Sequence, residues 1–240
     1  MNILITGGSS GLGKAIVTAL SVFSENVIYF TYNKHSEEAE NIIFEKGNVF
    51  AIKCDFTNYL DVVELEKTIT TLDLDVLINN AYVGSPQDTY FHKTDSEFIQ
   101  RSFENNILPT IKITQSAISG FRKKKYGKII NILTAYLVNL PPLGFSIYTA
   151  NKAYLQQLSK SWNSEYSKFN ITSNCISPEF MQTNFSSFVD DRIVEQMQTG
   201  HPLKRLLTPE EVAEAVLYLV NSSQQVNGVN IVINAAQNIL

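Results

Sequence analysis

Cysteine is nearly absent from this chain: its 240 residues hold two, Cys54 and Cys175. Each sits inside an apolar segment, so both read as buried structural thiols, and a disulfide-built scaffold is excluded. No apolar run approaches the ~18 residues of a membrane span. There is no internal repeat, low-complexity tract or linker. The chain enters an apolar strand at once, in Asn2-Ile3-Leu4-Ile5-Thr6. That leaves no room for the charged region, apolar stretch and cleavage site of a secretory signal, and a cytoplasmic protein is expected. A large excess of one sign of charge is also lacking, with a net charge of -4 and a pI near 5.4. Nothing in that balance suits a nucleic-acid partner. The one basic run, Arg122-Lys123-Lys124-Lys125, reads as a solvated helix end before Gly127. No metal site is expected.

What is present is an ordinary globular composition, 44% hydrophobic and 18% charged, enough for one well-packed domain over residues 1–240. Short apolar runs rich in β-branched residues alternate with longer amphipathic stretches. The spacing predicts strands at Ile3–Thr6, Val27–Tyr32, Val49–Cys54, Val76–Asn79, Lys128–Thr134, Thr172–Ile176 and Asn230–Ile233. They are continuous apolar runs, as strands covered on both faces should be. Ile16, Ala19, Leu20 and Phe23 recur at helical spacing after Gly13, and Val62, Leu65 and Ile69 do so before the fourth strand. Phe103, Ile107, Ile111 and Ile118 mark a long helix before the fifth strand, and Ala153 to Tyr166 another after it. A last helix runs from Pro209 to about Val220, with Thr208 as N-cap. This alternation predicts an α/β fold: a doubly wound parallel seven-stranded sheet (Rossmann fold) with helices on both faces. Such sheets bind ligands outside the C-terminal ends of their strands, so chemistry is expected just after strands.

The segment Thr6-Gly7-Gly8-Ser9-Ser10-Gly11-Leu12-Gly13 follows the first strand and opens the first helix. Glycines there let the backbone turn tightly and approach a pyrophosphate, and the helix N-terminus offers free N–H groups and a partial positive charge. A plain structural loop uses glycines too; the place between strand and helix favours a nucleotide site. At the end of the second strand an acidic residue suits an NAD ribose and a base suits the NADP phosphate. Here Thr31-Tyr32-Asn33-Lys34 puts Tyr32 at the usual acidic position, with no Asp or Glu before Glu37. Lys34, with Lys14 in support, favours NADP(H) over NAD(H).

Tyr148-Thr149-Ala150-Asn151-Lys152 starts the helix after strand five, at the ligand end of the sheet. Four residues is about one helical turn, so both side chains project on one face. A nearby ammonium should lower the tyrosine's pKa from about 10 toward working pH, making it a general acid or base.

In this order the motifs resemble those of the short-chain dehydrogenase/reductase family. T-G-x3-G-x-G stands at Thr6–Gly13, and Asn79-Asn80-Ala81 resembles N-N-A-G with Tyr82 for the glycine. Asn174 to Thr183 is similar to N-x3-P-G-x3-T with Glu179 for the glycine, and near the end Ala235 and Ala236 replace two glycines. The resemblance implies that Gly7, Ser9, Ser10, Gly11, Leu12 and Gly13 wrap the cofactor pyrophosphate and adenosine ribose. Tyr32, Asn33 and Lys34 would meet the adenosine ribose, Asp55 and Phe56 the adenine, and Asn80 and Ala81 would lie over the cofactor. Ser10 stands where many NADP-preferring relatives carry a base. Pro178 and Thr183 would flank the nicotinamide carboxamide, with Lys152 on the nicotinamide ribose beside Tyr148.

The resemblance also implies a catalytic tetrad. Tyr148 and Lys152 form its proton-transfer pair, and Thr134 supplies the carbonyl-orienting hydroxyl usually carried by serine. Asn106 supplies a main-chain site for a water that links the lysine to solvent. Thr134 lies 14 positions before Tyr148, about one more than usual, with Pro141-Pro142 between them to absorb the extra residue. Without that gap Ala135 would fall in the serine place. Phe185 to Gln198 is the expected substrate lid, where Met181, Phe185, Phe188 and Met197 either shape a pocket or pack on the core. The substrate would be a small carbonyl or alcohol compound, and the family's pairing through its two long helices implies a homodimer or homotetramer. The competing reading is a catalytically weak nucleotide-binding subunit or redox sensor; a Thr134 hydroxyl turned away from Tyr148 would favour it.

Overall fold

The computed structural model describes residues 1–34, 36–45, 47–86 and 89–237. Seven parallel strands form one sheet: β1 (Asn2–Ile5), β2 (Val27–Tyr32), β3 (Val49–Lys53), β4 (Val76–Asn79), β5 (Gly127–Ile132), β6 (Ile171–Pro178) and β7 (Asn230–Ile233). Their order across the sheet is β3-β2-β1-β4-β5-β6-β7. The helices are α1 (Gly11–Ser21), α2 (Ser36–Glu45), α3 (Tyr59–Ile69), α4 (Ser96–Lys124), α5 (Ser146–Tyr166), α6 (Asp191–Gly200) and α7 (Pro209–Asn221).

Strand residues alternate between two cores because successive side chains leave opposite faces. Ile3, Ile5, Ile28, Phe30, Val76 and Ile78 pack with Ile16 and Leu20 of α1, Ile42 of α2 and Val216 of α7. Leu4, Leu77 and Ile129 pack on the other side with Leu65 of α3, Ile113 and Phe121 of α4 and Trp162 of α5. Each such aliphatic side chain, fully buried, contributes about 1.5–3 kcal/mol. Burial on both faces is what made the strands read as continuous apolar runs. The expected sheet is therefore present, strand for strand. Its edges moved by a residue or two: β5 stops at Ile132, short of Thr134, and β6 runs on to Pro178.

One helix, α2, was not legible in the pattern, and another, α4, starts earlier than its apolar marks. Among the described side chains of α2, Ala39 and Ile42 are buried, a thin stripe that did not show as periodicity. α4 begins at Ser96, well before the apolar marks, because the Asp95 side chain accepts from Glu97 N–H and caps it. It ends as expected in the basic run, with Lys125 left-handed. α7 starts at Pro209 with a capping box in which Thr208 and Glu211 satisfy each other's backbone. At its other end the buried Lys128 ammonium donates to the Val220 carbonyl at 2.7 Å and to that of Ser222, closing the last turn. Cys54 and Cys175 are both free and buried, and burial pushes the Cys54 thiol up to about 12. Among the described residues no helix is long and apolar enough to cross a membrane.

The strand order reverses at β1: the chain builds outward through β2 and β3, then returns to place β4 on the other side of β1. Loops leaving β1 and β4 consequently diverge and leave a crevice at the C-terminal edge. The replaced glycines fare differently. Glu179 does not adopt a positive φ, so no left-handed penalty arises there, whereas Ala235 (φ 48°) and Ala236 (φ 60°) are both left-handed. An L residue in that region costs about 1–2 kcal/mol. Ala235→Gly and Ala236→Gly are each expected to stabilise the fold by roughly 0.5–1 kcal/mol, after allowing for the greater freedom of glycine in the unfolded chain. Urea unfolding of the two variants checks this; an unchanged or lower midpoint would show the strain to be absent.

Candidate active site

The crevice is a cavity of about 750 Å³ running from the glycine turn to the residues after β6. That volume lies within the range of cofactor and small-molecule sites.

The glycine turn is held from both sides by the strands that flank β1. Thr31 of β2 accepts from Gly7 N–H through its hydroxyl (2.9 Å) and from Gly8 N–H through its carbonyl (2.9 Å). On the β4 side, the Asn80 amide donates to the carbonyls of Thr6 (2.9 Å) and Gly7 (3.0 Å). The Thr6 hydroxyl in return accepts from the N–H groups of Asn80 and Ala81. Gly7 is left-handed at φ 70°, and a Cβ on Gly13 would lie 1.9 Å from the Gly7 carbonyl oxygen. Glycine is therefore required at Gly13 so that α1 can start directly under the turn. The first N–H groups of α1, at Gly11 to Gly13, have no acceptors within the helix, and the cavity passes over them. This is a donor set suited to a phosphate.

Ser9, Ser10, Leu12, Tyr32, Asn33, Lys34, Phe56, Asn80, Ala81, Pro178 and Thr183 all stand on the cavity wall with the turn glycines. Asp55 does not. Its carboxylate accepts from the Thr57 N–H and hydroxyl at 2.9 and 2.8 Å. Partial burial pushes its pKa up, but the bonds from Thr57 and Asn33 and the Lys34 charge outweigh that and hold it below the usual range. Cys54, beside it, lines the wall instead.

At the other end Thr134, Tyr148 and Lys152 come together on the cavity wall, all buried. Tyr148 and Lys152 share one face of α5, as their spacing predicts. Thr134 lies just beyond β5, where its side chain accepts from Tyr136 N–H and caps the single turn Ala135–Leu137. Its side chain also stands near enough to the Tyr148 phenol to hold that group's pKa down. Thr134, rather than Ala135, thus faces the tyrosine.

The electrostatics differ from the sequence expectation. Burial, with Tyr82 beside it, drives the Tyr148 pKa up, and the neighbouring Thr134 side chain opposes this only in part. The Lys152 ammonium does not reach the phenol oxygen. It donates to the Ile132 carbonyl at 2.7 Å and lies over the Tyr148 ring, 5.8 Å from the centroid. Burial lowers its own pKa to about 8. Desolvation, which spacing cannot reveal, outweighs the charge–phenolate attraction in this arrangement.

Asn106 lies off the cavity wall. Its side chain clamps the loop after β4, accepting from Val83 N–H at 2.6 Å and donating to the Val83 carbonyl at 3.2 Å. Its main-chain carbonyl accepts the Thr110 hydroxyl at 2.7 Å. Pro109, inside α4, has no N–H for the Asn105 carbonyl. The site also holds residues that motif matching gave no role. Tyr82, in place of a glycine, packs edge-on to Tyr148 (5.0 Å between centroids) and Phe185 (5.7 Å), with Lys152 5.4 Å from its ring centroid. Phe185 and Phe188 line the cavity as expected of a lid, with Met181; Met197 does not.

A doubly wound sheet with a clamped glycine turn at its switch point defines a dinucleotide-binding α/β protein. A family model described as "Enoyl-(Acyl carrier protein) reductase" matches residues 7–235. Carbonyl reductase family member 4 of Xenopus laevis is 32% identical over 220 residues, 91% of this chain and 90% of its own length. The 3-oxoacyl-(acyl-carrier-protein) reductase FabG of Aquifex aeolicus is 27% identical over 225 residues, covering 90% and 88%. A solved structure described as a putative betaketoacyl-ACP reductase superposes with a TM-score of 0.86 at 25% identity, over 100% of this chain and 98% of that one. The chain belongs to the short-chain dehydrogenase/reductase superfamily, whose general activity is NAD(P)(H)-dependent oxidoreduction.

Gly13→Ala should reduce dinucleotide affinity at least tenfold, since its methyl displaces the turn that the phosphate would meet; fluorescence titration with NADPH reads this. Equal affinity would show that the turn does not form the site. A second expectation follows from Lys152, whose folded pKa lies below its unfolded value of 10.5. Between the two values the unfolded chain binds a proton that the folded chain does not, so stability rises with pH across that window. Urea unfolding at about pH 8 and about pH 10 should show a gain of roughly 1–2 kcal/mol that Lys152→Met lacks.

Proposed function

We propose that the chain exchanges a carbonyl and an alcohol on a small substrate, bound NADP(H) supplying or taking up the hydride and Tyr148 the proton. The observation that carries this reading is the convergence of Thr134, Tyr148 and Lys152 on one wall of the cavity that begins at the glycine turn. The Thr134 hydroxyl and the Tyr148 phenol would together hold the substrate oxygen. With its pKa raised by burial, Tyr148 stays protonated and suits the general acid of carbonyl reduction. Lys152 would support the phenolate left behind and hold the cofactor ribose. Asn106 acts in this reading by fixing the Tyr82–Val83 loop against α4, a positioning role beside the relay implied by the resemblance. The names of the relatives, carbonyl and 3-oxoacyl reductases, support reduction as the direction. The Thr134 side chain beside the Tyr148 phenol on one cavity wall favours the enzyme over a nucleotide-binding subunit that has lost catalysis.

NADP(H) is favoured over NAD(H) because Lys34 stands on the wall at the end of β2 beside Tyr32 and Asn33, with no carboxylate on the wall there. The superfamily's pairing through α4 and α5 supports a homodimer or homotetramer, with Leu108 and Tyr154 exposed on those helices. Light scattering of the purified chain reads this directly.

Titration of the protein with NADPH and NADH, followed by nucleotide fluorescence, tests the cofactor. NADPH should bind about tenfold tighter, and Lys34→Ala should remove most of that difference; a preference for NADH would overturn the Lys34 argument. Tyr148→Phe should lower kcat on a reducible ketone by at least ~10²-fold with nucleotide affinity within about threefold. A Phe variant of full activity would remove Tyr148 from the mechanism.

A further inference from the structure

Glu179 is the one acidic residue among the described residues that line the cavity. Its backbone N–H donates to the Ile233 carbonyl at 3.0 Å, which fixes it at the end of β6 against β7. The side chain is 13% exposed, and its Oε2 lies 3.4 Å from Nε2 of His201. That approach does not close a hydrogen bond, so Oε2 is buried without one. The His201 Nδ1 accepts from Leu203 N–H at 3.1 Å, so the neutral ring carries its proton on the nitrogen that faces Glu179. Burial raises the Glu179 pKa, and His201 offsets this only in part.

The cations of the cavity are held elsewhere. Lys152 spends its charge on the Ile132 carbonyl, and Lys34 stands at the adenosine end. What adjoins Glu179 is aromatic. Tyr136 lies close enough that the carboxylate, after burial, helps push its phenol up to about 12. Tyr136 meets Phe145 edge-on at 5.6 Å between centroids, and Phe145 meets Tyr148 at 6.0 Å. A short chain of rings therefore links the carboxylate to the reacting tyrosine. Oε2 is shut in against His201, so a bound group would meet the part of the Glu179 side chain left exposed to the cavity, where a donor offsets the cost of withdrawing the carboxylate from water. Aromatic faces beside it accept an ammonium as well as a hydroxyl.

We propose that Glu179, backed by His201, is a specificity-determining acceptor that holds a hydroxyl or ammonium group on the substrate, a few bonds from its carbonyl. The proposal rests on the oxidoreductase reading above and narrows its substrates to ketones bearing a hydrogen-bond donor. An alternative role, fastening α6 to the end of β6, would affect stability and leave substrate preference unchanged.

Three ketones of one chain length, ending in a hydroxyl, an ammonium or a methyl, separate these roles. The wild-type protein with NADPH should turn over one donor-ended ketone with kcat/KM at least tenfold above the methyl-ended one. Which donor-ended ketone wins identifies the group held. Glu179→Leu should bring that ratio to within about twofold of unity, and Glu179→Gln should keep part of a hydroxyl preference and lose an ammonium one. Calorimetric binding of the same three compounds to the wild type and the variants gives a ranking that needs no turnover. Equal ratios in the wild type and Glu179→Leu, with only the melting temperature changed, would overturn the proposal. So would a wild-type ranking that places the methyl-ended ketone first, a result readable even if the variants do not fold. Should no ketone consume NADPH while the binding ranking holds and collapses in Glu179→Leu, the oxidoreductase reading falls and the acceptor site stands.

Discussion

The structure depends on how the ends of β1 and β4 are tied together. Once strand order reverses at β1, the loops leaving β1 and β4 part, and nothing in the sheet itself prevents the glycine turn from splaying. Asn80 closes the gap with both of its amide hydrogens on the Thr6 and Gly7 carbonyls, and Thr6 returns two bonds through its hydroxyl. Thr31 completes the clamp from β2. These bonds satisfy buried backbone groups that would otherwise carry a desolvation cost of about 1–3 kcal/mol each. The clamp leaves the N–H groups at the start of α1 facing the cavity.

Several glycines expected from the superfamily pattern are replaced, and the chain accommodates each replacement differently. At Glu179 the backbone has no positive φ, so the side chain enters the cavity without conformational strain. At Ala235 and Ala236 the left-handed backbone is retained and the alanines absorb the cost. At Tyr82 a ring occupies space that glycine would leave open, and it is put to use against Tyr148, Phe185 and Lys152. A loop carrying so large a side chain needs anchoring, and Asn106 provides it through Val83. Of these replacements Tyr82 and Glu179 stand on the cavity wall, which keeps Gly7, Gly11 and Gly13 of the turn.

Burial sets the protonation of the proposed proton-transfer pair. Both groups are withdrawn from water, which favours the neutral phenol of Tyr148 and lowers the Lys152 pKa. A short hydrogen bond to the Ile132 carbonyl holds the ammonium in place without bringing it to the phenol oxygen. At neutral pH this keeps the phenol protonated, the form that the proposed carbonyl reduction needs in its general acid.

The sequence by itself determined the sheet, since strands buried on two faces must be apolar without alternation and glycine must stand where a backbone carbonyl lies 1.9 Å from a would-be Cβ. It also determined the Tyr148–Lys152 face, because four residues in a helix make one turn. Helix α2 escaped notice, since among its described side chains the buried stripe is Ala39 and Ile42. Tertiary structure alone decided that Thr134 and not Ala135 meets Tyr148, because the choice turns on how the chain leaves β5. It decided that Asn106 clamps Val83, since that partner comes from a distant segment, and that the Asp55 carboxylate turns back on neighbouring Thr57 instead of onto the cavity wall. The shifts of Tyr148 and Lys152 were out of reach for the same reason: desolvation is a property of everything packed around a group, and no spacing along the chain encodes it.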